Sequence, residues 1–252
     1  MSPRPPVRPS PPEPAPAAAR GPLAAALAAA TRGRLAPRAL AATRGRLALA
    51  AAARGRLAPA ALVAAALALL APASPAAPRP APSGPIVLHV GDSFVASGLA
   101  QALRPRFEAL GLRYFTAAKT SAFIPTLPAD VRLRTLVANY RPVLVLITLG
   151  ANDITAFDPE GRAAAVRSLV ALLGPIPCLW TLPPPWKDDE RSRTLLRVIE
   201  REAAPCRTFD ATPFAHQIRR TSDGIHPSAE GGAYWAEVLW AWLGVADPDP
   251  AP

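Results

Sequence analysis

The first 84 residues lack every aromatic side chain, although the whole sequence contains five Trp, three Tyr and seven Phe. They also hold only one acidic residue, Glu13, against eleven Arg. A segment this poor in large apolar side chains cannot bury enough surface to offset the entropy lost on folding. Residues 1–58 are therefore predicted to form a basic, low-complexity leader, which is either disordered or lies ahead of the true start of translation.

The rest of the chain lacks an excess of charge of either sign. Residues 85–252 contain 17 Lys plus Arg and 17 Asp plus Glu, so the net charge of +10 belongs to the first 84 residues. A folded nucleic-acid-binding module needs a basic face, and we expect no nucleic-acid partner for this domain. A separate hypothesis, that the leader tethers the protein to a surface or a nucleic acid, stays open.

Cysteine is also scarce, since Cys178 and Cys206 are the only two. They cannot form a four-ligand zinc site, and they are not spaced as a CxxC redox pair. No other set of His, Cys and carboxylate residues has metal-ligand spacing, so we expect neither a metal nor a cofactor. The two cysteines are interpreted as free buried residues, with a disulfide as the alternative.

No apolar run reaches the roughly 20 residues that span a bilayer, and we expect no transmembrane segment. The run Ala60–Ala71 follows two arginines and precedes the small residues of Ala71–Ala73. This order is typical of a secretory signal peptide. Residues 59–77 are therefore predicted to hold the apolar region and the cleavage site of this signal peptide. We accordingly expect the protein to be exported, and thus either periplasmic or secreted. The alternative is that an Ala-rich tract resembles such a region by chance. Residues 78–84 are predicted to be a linker.

From Pro85 onward, short runs that are apolar throughout alternate with amphipathic stretches, which favours a parallel sheet covered on both faces. With right-handed crossovers, we predict an α/β fold: a doubly wound, flavodoxin-like parallel five-stranded sheet over residues 85–246, with a tail at 247–252. Predicted strands cover 86–90, 112–117, 142–149, 176–182 and 207–209, and predicted helices cover 96–110, 129–140, 161–173, 188–204 and 228–243.

Three polar motifs follow predicted strands, where ligands bind in such sheets. Gly91-Asp92-Ser93 opens a helix, and alone this serine is more often a helix cap. Gly150-Ala151-Asn152-Asp153 offers a neutral amide that can donate to an oxyanion, although alone it is more often a turn. In Ser222–Pro227, a carboxylate three residues before a histidine can orient that imidazole, with an Asx turn as the alternative.

Together, GDS at 91–93, GAND at 150–153 and DGIHPSAEG at 223–231 resemble the first, third and fifth blocks of the SGNH/GDSL hydrolase family. The resemblance covers about Ile86–Leu243. It implies a serine esterase that hydrolyses small carboxylic esters, with acyl or acetyl groups on a lipid or carbohydrate. Ser93 would be the nucleophile, His226 the general base and Asp223 its orienting acid, in a domain expected to be a monomer.

The same resemblance implies an oxyanion hole made of the Ser93 N–H, the Asn152 amide and a glycine N–H from the second block. This chain has no glycine after its second predicted strand. Ser121 is the best match to that position, and Lys119 is the alternative. The missing glycine motivates a second hypothesis, in which the domain is a catalytically lapsed carbohydrate- or lipid-binding module.

Tryptophan and histidine residues outside the three motifs are divided between the site, the core and the surface. Trp180 and Trp186 are predicted to flank the mouth after the fourth strand. Trp186 is predicted to line a substrate cleft, with simple packing as the alternative. His89 is expected in the core and His216 at the surface. The tryptophans at 235, 240 and 242 recur near helical spacing and are expected in the core.

Overall fold

The computed structural model describes residues 84–244. The predicted leader, signal-peptide region and tail lie outside the described residues, as does the predicted linker up to Ser83. Within residues 84–244, no helix is long and apolar enough to cross a membrane.

The centre of the fold is a five-stranded sheet whose neighbouring strands are all parallel. The spatial order of the strands is β2-β1-β3-β4-β5. This order confirms the predicted flavodoxin-like, doubly wound sheet. The strands are β1 Ile86–Gly91, β2 Arg113–Ala118, β3 Leu144–Thr148, β4 Cys178–Leu182 and β5 Arg207–Asp210.

Helices cover both faces of this sheet, as predicted. They are α1 Ala100–Ala109, α2 Val131–Tyr140, α3 Ala163–Leu173, α4 Glu190–Glu202 and α5 Ala229–Leu243. Residues of α1 and α5 share one core cluster, and residues of α2, α3 and α4 share the other. Neighbouring residues of β1 alternate between them: Val87 belongs to the first cluster, and Leu88 and Val90 to the second.

The first predicted helix, 96–110, differs from the observed one. A π-helical turn, Val95–Leu99, precedes α1, and Gly98 in that turn has a φ of 82°. A Cβ at Gly98 would lie 3.0 Å from the backbone of Ala229 at the start of α5. The helix is therefore distorted where another helix comes close, which the local pattern does not reveal. Ser228 caps α5 as predicted, by accepting a hydrogen bond from the Gly231 N–H.

The interpretation of the two cysteines as free is wrong. Cys178 and Cys206 form a disulfide whose Cα atoms are 4.7 Å apart. Cys178 begins β4 and Cys206 directly precedes β5, and these two strands pair in the sheet. The disulfide therefore joins the starts of two neighbouring strands, at the end of the sheet opposite the loops described next.

Candidate active site

The nucleophile motif begins at a glycine that no other residue can replace. Gly91 ends β1 with a φ of 152°, and a Cβ there would lie 1.7 Å from the carbonyl oxygen of Thr148 at the end of β3. Strands β1 and β3 therefore meet closely at their carboxyl ends. Asp92 and Ser93 follow directly and open the helical turn, where backbone N–H groups have no intrahelical partner.

Three of the predicted side chains come together in one hydrogen-bonded series. Ser93 Oγ lies 2.8 Å from His226 Nε2, and His226 Nδ1 lies 2.6 Å from Asp223 Oδ2. The imidazole also packs against the ring of Phe94, with the ring centroids 5.7 Å apart. Residues that are more than 130 positions apart in the sequence are thus in direct contact.

Asp223 is held by its own loop as well as by the imidazole. Its Oδ1 atom accepts hydrogen bonds from the backbone N–H groups of Ile225 and His226 and from the Thr221 hydroxyl. The His226 side chain, followed by these other donors, holds the pKa of Asp223 well below its usual range. Asp223 is therefore an ionised carboxylate with a fixed orientation, which suits the acid of a triad. Thr221 carries no recognisable signal in the sequence.

Asp92 is fully buried and connects the motif at 91–93 to the motif at 150–153. One of its carboxylate oxygens accepts from the Phe94 N–H, and the other accepts from the N–H groups of Gly150 and Ala151. Burial raises the pKa of Asp92 to about 6, against the opposite effect of these three hydrogen bonds. Asp92 thus orients the turn that carries Ser93 and also the turn that precedes Asn152.

The predicted oxyanion donors lie on two further loops. Asn152 Nδ2 donates to the carbonyl of Ala122 at 2.8 Å, and a primary amide has a second hydrogen that remains for a ligand. Ser121 has a φ of 57°, a left-handed conformation that favours the glycine expected there. The Lys119 N–H already donates to the carbonyl of Gly91. Among these two residues, Ser121 therefore stays the predicted donor.

Asp153, the residue after Asn152, binds the loop that follows β2. Its side chain is fully buried and accepts from the Ile124 N–H at 2.9 Å and from Arg162 Nε at 2.7 Å. Burial raises the pKa of Asp153, while these two donors lower it. Asp153 therefore ties the segment that contains Ser121 to the turn that contains Asn152.

The two tryptophans near β4 have different positions. The prediction that Trp180 flanks the mouth is wrong, because Trp180 lies inside β4, is fully buried and donates to the carbonyl of Leu149. Trp186 follows β4 and is partly exposed, and its indole N–H donates to the carbonyl of Ala151 at 3.0 Å. This contact places Trp186 against the turn that carries Asn152.

The two remaining histidines lie where they are expected. His89 is buried between the Tyr114 hydroxyl at 2.5 Å and the Thr148 hydroxyl at 2.8 Å, and burial lowers its pKa to about 3. His216 is exposed. No group of three or more His, Cys, Asp or Glu side chains in residues 84–244 is arranged to hold a metal ion.

A model of the GDSL-like lipase/acylhydrolase family matches residues 87–234, which is more than half of the 252-residue chain. The chain belongs to this family. It is accordingly a hydrolase of ester bonds, and the match spans all three motifs that suggested the resemblance.

The chain is also similar to solved structures. TesA is 25% identical, has a TM-score of 0.54, and the match covers 63% of this chain and 97% of that one. The esterase EstA from Pseudoalteromonas sp., in a form inhibited by monoethylphosphonate, is 18% identical with a TM-score of 0.52 over 63% and 96% of the two chains. LAE5, an alpha/beta hydrolase from the metagenome of Lake Arreo in Spain, is 22% identical with a TM-score of 0.51 over 64% and 95%. EstA and LAE5 are similar in fold. No curated protein matches the chain.

Proposed function

We propose that this hydrolase is a serine esterase that cleaves small carboxylic esters through an acyl-enzyme, using Ser93, His226 and Asp223 as its triad. The observation that supports it is the hydrogen-bonded series from Asp223 through His226 to Ser93, with distances of 2.6 and 2.8 Å. A serine hydroxyl is a weak nucleophile until an adjacent base accepts its proton. This arrangement provides that base and its orienting acid.

The reaction proceeds in two steps. Ser93 Oγ attacks the ester carbonyl while His226 Nε2 takes the hydroxyl proton, and Asp223 stabilises the resulting imidazolium. His226 then returns the proton to the leaving alcohol. In the second step His226 takes a proton from water, the resulting hydroxide attacks the acyl-enzyme, and the carboxylic acid leaves as Ser93 recovers its proton.

Three donors are proposed to stabilise the oxyanion that forms in each step. They are the Ser93 N–H, the free hydrogen of the Asn152 amide and the Ser121 N–H. The left-handed conformation of Ser121 supports its assignment, because this is the conformation that a glycine adopts readily. A lapsed binding module would lack fluorophosphonate labelling of Ser93, whereas the proposed enzyme is labelled.

The substrate class is an ester with a small acyl or acetyl group on a lipid or carbohydrate alcohol. A panel of p-nitrophenyl esters of increasing acyl length, run beside acetylated glycans, separates these groups. Hydrolysis of the panel by wild-type protein is expected to favour one acyl length. The acetylated glycans report whether a sugar alcohol contributes to recognition.

The decisive variant is Ser93→Ala. It is expected to abolish hydrolysis of p-nitrophenyl acetate and labelling by a fluorophosphonate probe, because the probe reacts only with an activated serine. Ser168→Ala is a matched control, since Ser168 is exposed on α3 and its hydroxyl donates only to the carbonyl of Ala164 in the same helix. Full activity in Ser93→Ala would contradict the assignment.

We also propose that the protein is exported. The disulfide between Cys178 and Cys206 supports this, because such bonds persist in oxidising compartments and are rare in the cytosol. Mass spectrometry of the mature protein is expected to find an N-terminus within or just after residues 59–77. A mature chain that begins at Met1 would contradict the proposal.

A further inference from the structure

Arg220 binds the carbonyl oxygens of two different segments near the proposed triad. Its Nη2 atom donates to Pro184 at 3.1 Å and to Pro185 at 2.9 Å, and its Nη1 atom donates to the carbonyl of Ile225. Pro184 and Pro185 follow β4, whereas Ile225 directly precedes His226. A planar guanidinium presents several donors in fixed directions, so one side chain joins both segments.

These contacts differ from an ordinary surface ion pair. Arg220 takes part in none of the ion pairs found among residues 84–244, and its side chain is about half buried. Burial lowers the pKa of its guanidinium, and the nearby charge of Asp223 opposes that change. A partly buried charge is costly unless its donors are hydrogen-bonded. The carbonyl oxygens of the two segments provide those hydrogen bonds for Arg220.

Backbone hydrogen bonds within the loop fix its shape. The Thr221 N–H donates to the carbonyl of His226 at 2.8 Å, and Arg220 and Pro227 form a β-bridge. Both contacts lie within the same stretch of chain that carries the imidazole. The guanidinium of Arg220 connects this stretch to the segment after β4.

That neighbouring segment leads on to the oxyanion side of the site. Trp186 follows Pro185 directly, and its indole N–H donates to the carbonyl of Ala151. Ala151 precedes Asn152, whose amide is bonded to the loop after β2. A continuous path of contacts therefore runs from Arg220 to the proposed oxyanion donor.

We propose that Arg220 is a positioning residue for the reaction, which holds the Asp223–His226 loop in register with the Trp186 segment so that His226 Nε2 stays on Ser93 Oγ. This rests on the proposed function, because it assigns Arg220 a role in a reaction carried out by that triad. A misplacement of about 1 Å in a catalytic group lowers a rate by up to about 10²-fold. The effect is expected on kcat, since the hydrogen bonds of Arg220 go to main-chain atoms of the loops that carry the catalytic groups.

The test compares Arg220→Met, Arg220→Lys and Arg219→Met in the full chain with p-nitrophenyl acetate. Arg220→Met is expected to lower kcat by roughly 10- to 10²-fold with KM unchanged. Arg220→Lys retains the charge but cannot span both segments, so a large loss of kcat is expected there too. Arg219→Met removes the same charge from the adjacent residue, which is exposed and paired with Glu230, and is expected to leave kcat unchanged.

Each alternative result overturns the proposal. Wild-type kcat in Arg220→Met means that the guanidinium is dispensable, and wild-type kcat in Arg220→Lys means that charge alone suffices. If Arg219→Met loses as much kcat as Arg220→Met, the cause is the loss of one positive charge and not the contacts of Arg220. Thermal melting checks that each variant is folded at the assay temperature. If Arg220→Met does not fold, Arg220→Lys carries the test.

Failure of the proposed function is recognised separately. Wild-type activity that survives Ser93→Ala contradicts the triad and says nothing against Arg220. In that case, amide hydrogen exchange of residues 221–226 tests the positioning directly. Faster exchange in Arg220→Met than in Arg219→Met supports it, and equal exchange overturns it.

Discussion

Replacement of His89 by Gln is expected to change how the stability of the fold depends on pH. His89 is fully buried between Tyr114 and Thr148, and burial lowers its pKa from 6.5 to about 3. In the folded state this imidazole stays neutral below pH 6.5, whereas in the unfolded chain it takes up a proton. The unfolded state therefore binds more protons, and His89 lowers stability progressively as the pH falls from 6.5 towards 3.

The magnitude follows from the difference between the two pKa values. Each pH unit within this window costs about 1.4 kcal/mol, so at pH 4.5 the loss amounts to about 3 kcal/mol. His89→Gln retains polar atoms that can bond the two hydroxyls and removes the titration. The variant loses some stability at pH 7 through altered packing, and this loss does not depend on pH.

The measurement must be a difference between the two proteins, because Asp92 acts in the opposite direction. Burial raises the pKa of Asp92 from 3.8 to about 6, so its folded form gains a proton below pH 6, before the unfolded form does. Its contribution to stability therefore increases as the pH falls from 6 to 3.8, and it masks the effect of His89 in wild-type protein. Asp92 is common to both proteins and cancels in the comparison.

Urea unfolding of the full chain, followed by tryptophan fluorescence at pH 7 and pH 4.5, gives the two free energies of unfolding for each protein. The stability of His89→Gln relative to wild type is expected to improve by about 3 kcal/mol between the two pH values. An identical difference at both pH values would refute the reasoning, and would mean that His89 titrates alike in the folded and unfolded chains.

Three further predictions concern catalysis and the disulfide. Asn152→Ala is expected to lower kcat by roughly 10²–10³-fold with little change in KM, because one oxyanion donor is lost; an unchanged kcat in the ester assay would exclude it as a donor. Asp223→Asn is expected to lower kcat by roughly 10³–10⁴-fold. Fluorophosphonate labelling of Asp223→Asn at the wild-type rate would argue against Asp223 as the orienting acid. Reduction of Cys178–Cys206 is expected to remove about 3–4 kcal/mol of stability, given the 28-residue separation of the cysteines. The kcat of the reduced, folded protein should be unaltered. A lower kcat would contradict the inference that the disulfide lies too far from the active site to affect the reaction.

Most of the fold could be predicted because buried parallel strands leave a local signal. The run at 142–149 is apolar except for Thr148, and β3 lies within it with every residue buried. The same uniformity explains the error at Trp180. All five residues of β4 are buried, so no alternation between apolar and polar residues shows which side chains point towards the core and which lie near the site.

Helix boundaries were predicted less well where a distant segment decides them. The turn at Val95–Leu99 leaves regular helical geometry beside the start of α5. Contacts between positions as distant as 98 and 229 have no counterpart in a short sequence window. Two other helices begin later than predicted because Asp130 and Asp189 cap them, and a capping residue lies outside the helix it precedes.

The members of the candidate site were predictable for a different reason. Ser93 and Asn152 stand in short motifs directly after strands that are neighbours in the sheet, and His226 stands in a short motif between the last strand and the last helix. Arg220 carries no such signal, because the groups it binds are carbonyl oxygens, which every residue possesses. A side chain that bonds only to the main chain therefore cannot be inferred from the identity of its partners.

The same physics limits which substitutions should matter around this site. Four side chains of the site form hydrogen bonds with main-chain atoms of another loop, namely those of Asp92, Asn152, Asp153 and Arg220. In each of these main-chain hydrogen bonds, only one of the two partners depends on residue type. Ile225 supplies a carbonyl to Arg220 and an N–H to Asp223, and neither group belongs to its side chain. Ile225→Val should therefore retain the wild-type kcat, whereas Arg220→Met should not. If Ile225→Val loses activity as Arg220→Met does, the packing of the Ile225 side chain also holds the histidine in place, and the claim that residue type at position 225 is unimportant is refuted.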